Sequence, residues 1–265
     1  MNSNYLAASL IAARLLASAS AAGAMTLQTV EMTCPYDGTR FEFRVQGSGT
    51  STGQSLDFML MGAIRSPWPI AVCPTNGFVF AKEKYEPDEL ERLRPIVLSP
   101  DYQALKDETP YYRAAWIMER SGEPRTEVSL YLLQATWEAG WEALAERYNA
   151  KLREAPPGAR APDPDIRALL AEGTSSERYR RYATELLARL PSDIAAASPR
   201  SGQFKLVQGE LLRRLGRFDE ADAYFKALEG GYDTGSGEAN YVAFQRELIA
   251  RRDLGIHPMR ASARR

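Results

Sequence analysis

Two cysteines are present, and each opens nearly the same phrase: Cys34-Pro35-Tyr36-Asp37-Gly38 and Cys73-Pro74-Thr75-Asn76-Gly77. A turn-like C-P-x-[D/N]-G pentapeptide that occurs twice, at positions 34 and 73, implies two similar hairpins close together in the fold. Zinc ribbons are built from paired C-x-x-C knuckles. Here Asp37 and Asn76 stand where each second cysteine would be. Two thiolates make a poor structural zinc site, since closed sites take four ligands with sulfur dominant. The pair therefore has three readings. Asp37 joins Cys34 and Cys73 as a third metal ligand, the cysteines form a disulfide in an exported protein, or they pack as two reduced thiols. A Cys34–Cys73 bridge would join the loops a metal would have joined, worth roughly 3–4 kcal/mol by chain entropy. No cofactor is expected.

Flanking residues fit the hairpin reading. Residues Thr26–Met32 read as a strand, Asp37-Gly38 as its turn, and Phe41–Val45 as an alternating partner strand. Phe78–Phe80 repeats the pattern after Asn76-Gly77. Between the two lies Gln46–Leu56, which reads as a flexible polar loop and lacks the spacing and lysine of a phosphate loop. Trp68, between Pro67 and Pro69, is expected to cover a small core or to face a partner.

From Glu86 the texture becomes helical. Pro87-Asp88-Glu89 opens a helix expected to stop near Pro95, and Asp101–Leu105 reads as a short turn. Tyr111–Glu119 reads as a helix, and Glu127–Arg153 as a long one with Leu130, Leu133, Trp137, Trp141, Leu144 and Tyr148 in its stripe. Residues 155–165 read as a Pro-rich linker, and Ser176–Leu190 as a helix capped by Ser175 or Ser176, with Pro191 marking its end. The segment Lys205–Leu228 spaces Gly209, Leu212, Gly216, Ala221, Phe225 and Leu228 as a tetratricopeptide helix pair does, with Ala221 against Gly209. Tyr241–Arg251 closes the array.

The two Cys-Pro knuckles, Gly49-Thr50, the Pro67-Trp68-Pro69 stretch and the helical-repeat tail resemble the uncharacterised bacterial proteins grouped as domain of unknown function 2225. That resemblance spans roughly residues 30–250. It implies an α+β fold, in which a zinc-ribbon-like hairpin module precedes tetratricopeptide-like helices. It carries no activity over.

Residues 1–24 read as a signal peptide ending in Ala22-Gly23-Ala24, although Arg14 interrupts the apolar run. The alternatives are a cytoplasmic protein starting at Met25 or a short amphipathic helix. The expected layout is then a leader (1–24), a ribbon-like module (25–85), a helical domain (86–250) and a basic flexible tail (251–265). A formal charge of −1 argues against nucleic-acid binding by the whole surface. No other segment reaches membrane length.

The favoured function is noncatalytic binding of a protein or peptide in the periplasm or outside the cell. Trp68, Tyr111, Tyr112, Arg113, Trp116, Tyr179 and Tyr182 are the candidate contacts, each with a core-packing alternative. The rivals are a structural subunit of an assembly and an enzyme built on Asp57, Glu119 and Glu138, which lack a spacing that defines chemistry.

Overall fold

The computed structural model describes residues 25–153, 166–173 and 176–259. The leader, the Pro-rich stretch 155–165, Ser175 and the tail arginines Arg260, Arg264 and Arg265 lie outside the described residues. A small β-hairpin region comes first and a mostly α-helical region follows, an α+β architecture.

Strands β1 (Thr26–Thr33) and β2 (Arg40–Ser48) pair antiparallel, with Val30 opposite Phe43 and Met32 opposite Phe41. Strand alternation puts those four side chains and Val45 on one face, and Thr29, Glu31, Arg40, Glu42 and Arg44 on the other. The first pentapeptide makes the turn: the Cys34 amide donates to the Thr39 carbonyl and the Gly38 amide to the Cys34 carbonyl. The second repeats it, with the Cys73 amide on Phe78 and the Gly77 amide on Cys73. Gly38 and Gly77 sit at φ +71° and +73°, the left-handed region that glycine enters without steric cost.

The stretch expected to be a flexible loop contains a strand instead. β3 (Thr50–Gln54) pairs with β4 (Leu60–Ala63) across a bulge between Ser51 and Gly53. Every residue of β3 is exposed, so no apolar alternation announced it.

The helices are α1 (Pro87–Val97), α2 (Pro100–Gln103), α3 (Pro110–Ser121), α4 (Arg125–Arg153), α5 (Ile166–Ala171), α6 (Glu177–Ala195), α7 (Ser201–Arg214), α8 (Phe218–Leu228) and α9 (Gly237–Ala250). Ser176 caps α6, its hydroxyl accepting from the Tyr179 amide. Pro95 and Pro191 lie inside α1 and α6 rather than ending them. Both prolines are exposed, so water can take the carbonyl that each leaves without a helical donor. Helix α4 packs between α3 and α6. Its buried face runs through Val128, Leu132, Ala135, Ala139 and Ala143, and Trp141 of the expected stripe is 38% exposed. Small residues on that face let two neighbours approach one helix.

Helices α7 and α8 form the antiparallel pair. The Gly216 amide donates to Arg213 and the Arg217 amide to Leu212, the double bond of a Schellman ending. Gly209 sits under Phe225: a Cβ there would lie 2.2 Å from Phe225 Cζ. The aromatic ring, not Ala221, therefore fills the space over Gly209, while Ala221 is fully buried one turn earlier.

Two apolar cores result. The larger one joins α3, α4 and α6–α9 and takes in Leu56 from the N-terminal region. The smaller one surrounds Cys34, Cys73 and Phe78 and is completed by Leu93, Val97, Tyr102 and Ile117 of α1–α3. Packing thus runs across position 86.

The tail is not frayed through residue 259. The Ile256 amide donates to Leu170, the Leu56 amide to His257, and the Met259 amide to Gln54. A buried polar cluster anchors this strap. The Arg213 guanidinium grips the Glu210 carboxylate at 2.7 and 2.9 Å, bonds Gln245, and donates to the carbonyls of Asp253 and Gly255. Nearby, Arg214 meets Asp57 at 3.4 Å, tying α7 to the β3–β4 connection.

Candidate functional site

Cys34 and Cys73 form a disulfide with Cα atoms 5.5 Å apart, and both are buried. The residues in place of the missing thiolates have a different task. Asp37 Oδ1 accepts from the Thr39 amide, and Asn76 Oδ1 accepts from the Phe78 amide, so each closes its own turn. Across the pair, the Thr75 hydroxyl donates to Asp37 Oδ2 at 2.5 Å and lies 3.1 Å from Cys73 Sγ. The Asn76 amide reaches the same carboxylate at 3.3 Å. These bonds, Thr75 foremost, hold the Asp37 carboxyl below its usual range. Ligand atoms of Cys34, Asp37 and Cys73 lie within 4.8 Å of one another. The sulfurs are nevertheless joined to each other, so this donor set does not fit zinc, which binds thiolates.

The aromatic candidates separate by burial. Tyr111, Arg113, Tyr179 and Tyr182 are core residues and present no contact surface. The Tyr111 hydroxyl donates to the Trp68 carbonyl at 2.9 Å. Arg113 donates to the Gly77 carbonyl at 2.8 Å and stacks on Tyr102. Tyr179 lies beneath the Arg214 guanidinium, and Tyr182 donates to Glu108. Tyr112 is half-buried and stacks on Tyr182 at 4.3 Å, while Arg120 covers Trp116. Trp68 is 47% exposed and so does not seal the small core.

The three acids lie against different partners. Asp57 faces Ser55 and Arg214, and Glu119 faces Arg189. Glu138 accepts from the Tyr111 amide at 3.0 Å, and burial pushes its carboxyl up to about 7. No common site gathers them.

An open groove of about 600 Å³ crosses α6, α7 and α8. Leu187, Ala188 and Pro191 of α6, Gln208 and Leu212 of α7, and Ala223 and Tyr224 of α8 line it. Leu187 and Leu212 are buried at its base, and the Arg217–Glu220 ion pair stands at the rim. Sequence reasoning missed this surface. Each helix contributes only a few residues, and Pro191 reads as a stop signal rather than as part of a lining.

A second cavity, about 230 Å³, lies among Leu56, Phe58, Leu206, Tyr241, Phe244 and Met259. Phe58 adopts φ +67° beside it, a strained conformation for a bulky side chain. Among the described residues no helix is long and apolar enough to cross a membrane. No protein-family model, curated protein or solved structure matches the chain.

Proposed function

We propose that this is a noncatalytic interaction protein whose helical surface receives a peptide segment of another protein. The observation that carries this reading is the groove across α6–α8, open along its length, apolar at its base and edged by an ion pair. Antiparallel helix arrays commonly receive peptides on such faces. The tight α7–α8 pair, with Phe225 seated on Gly209, supports a tetratricopeptide-like origin for the array. The twin knuckle turns support descent from a zinc-ribbon-like module of the domain-of-unknown-function 2225 kind, with the bridge in place of the metal. A buried disulfide belongs in an oxidising compartment, which supports export.

Site-specific photocrosslinking in the native host tests the binding role. A photoreactive residue at the exposed groove position Ala223 should give one discrete adduct, and one at Lys226, exposed but outside the groove, should give none. Equal labelling from both, or none from Ala223, would overturn the proposal. Sequencing the N-terminus of the periplasmic protein tests export: a start at Met25 supports cleavage, and recovery only in the cytoplasm refutes it.

A further inference from the structure

Strand β1 is paired on one side only. Among the described residues no strand bonds its outer edge, and β1–β2 forms a two-stranded sheet by itself. Such a ribbon is marginal in water without a further strand or a covered face, and here the face is covered at its turn end, where Phe41 packs on the small core beside Phe80. Natural edges are usually blunted by charged side chains, lysine above all, by proline or by a bulge. Over Leu27–Thr33, sequence LQTVEMT, β1 has no lysine, no proline and no bulge, and its one charge, Glu31, is paired with Arg40 of its own hairpin.

The backbone groups that face outward can be assigned. The Cys34 amide bonds the Thr39 carbonyl, and antiparallel ladder bonds recur at every second residue. Met32, Val30 and Gln28 therefore bond β2. Leu27, Thr29, Glu31 and Thr33 turn their N–H and C=O groups away from it, and all four residues are exposed.

We propose that this edge pairs with β1 of a second copy, giving a two-fold dimer with a continuous four-stranded sheet. A two-fold axis normal to the sheet keeps each face on its own side, so only residues of like parity can stand opposite. With the axis at Thr29, Thr29 meets its own mate as a hydrogen-bonded pair. Leu27 then stands opposite Glu31, Gln28 opposite Val30, and Thr26 opposite Met32. Every outward N–H from Leu27 to Glu31 finds a carbonyl. The carboxylates of Glu31 do not oppose each other, and Glu31 keeps its ion pair with Arg40. The half-buried apolar face of Val30, Met32, Phe43 and Val45 becomes continuous across the join. What the edge offers is mainly backbone, and β1 satisfies its own requirements.

Thr29→Pro is the discriminating variant. It deletes an outward N–H and leaves the ladder to β2 intact, the position at which an edge strand tolerates proline. Sedimentation velocity on the full chain should show a dimer. Thr29→Pro should weaken association about thirtyfold or more, since two symmetry-related bonds are lost. Thr29→Val, which keeps the N–H, should remain dimeric. Amide exchange at Thr29 and Glu31 should slow as the wild type dimerises. Nonreducing mapping of the Cys34–Cys73 bridge, and a melting midpoint equal to that of the wild type when both are diluted until monomeric, show that Thr29→Pro still folds. A wild type that stays monomeric at about 100 µM, where an association of ordinary strength would be populated, or a Thr29→Pro dimer of undiminished affinity, overturns the proposal. A β1 edge protected only when a different protein is present does so as well.

Discussion

Replacing Glu138 by glutamine should stabilise the protein at neutral and alkaline pH and change little in acid. The Glu138 carboxylate stands at the N-terminus of α3, where it accepts from the Tyr111 amide. A helix start favours negative charge by 0.3–1 kcal/mol on the order of a surface interaction. Burial opposes it and wins, with Glu142 adding like-charge repulsion, so the carboxyl rises from 4.5 to about 7. That difference corresponds to at most about 3 kcal/mol. The folded state holds the proton more tightly than the unfolded chain. The stabilisation from this group is therefore complete below pH 4.5 and is lost as pH rises through about 7. Glutamine can still accept from Tyr111 through Oε1 and never ionises. Urea melts of wild type and Glu138→Gln at pH 5, 6, 7 and 8 give the comparison. The curves should nearly coincide at pH 5, and the variant should lead by about 2–3 kcal/mol at pH 8. A difference that stays constant with pH, or a less stable variant at pH 8, would refute the reasoning, because the carboxyl would then not be held protonated by burial.

Cys73→Ser should cost about 2–5 kcal/mol. Because Val97, Tyr102 and Ile117 pack on the bridge, hydrogen exchange should quicken in α1–α3 as well as in the hairpins; a loss confined to residues before 86 would contradict the shared core. Gly209→Ala should lower the free energy of unfolding by about 1–3 kcal/mol through overpacking against Phe225, and an unchanged denaturant midpoint would show that the ring does not sit there. Arg213→Met should cost about 3–5 kcal/mol by stranding the buried Glu210, and adding Glu210→Leu should restore much of it; no recovery in the double variant would mean that the strap carbonyls, not the ion pair, set the cost.

What the sequence disclosed follows the range of the interactions. The knuckle turns, the β1–β2 pairing and the Ser176 cap are local, and their residues announce them. The Cys34–Cys73 bridge emerged as one of three readings because the two turns are copies of each other. β3 was hidden because strand pairing without a buried face leaves no alternation. Tyr111 and Tyr182 looked like surface anchors because tyrosine composition does not reveal whether its hydroxyl has a buried partner; here the Trp68 carbonyl and Glu108 supply them. The groove was hidden because it belongs to three helices at once. Arg251 and Arg252 read as a solvated basic end, and nothing local signals that the backbone just beyond them bonds Leu56 and Gln54.

The strap also sets an order of assembly. Tyr241 donates its hydroxyl to the Leu56 carbonyl, 185 positions away, and His257 bonds the same residue from the other side. A ribosome emits Leu56 long before either partner exists. The β3–β4 connection must wait, with Leu56 and Asp57 bare, until nearly the last described residue has been made. Contacts of such separation are slow to form, and the apolar groups they will cover stay open to wrong partners meanwhile. Whatever holds the chain open until its last described residues emerge, a chaperone or the ribosome itself, therefore guards Leu56 and Asp57 for most of synthesis.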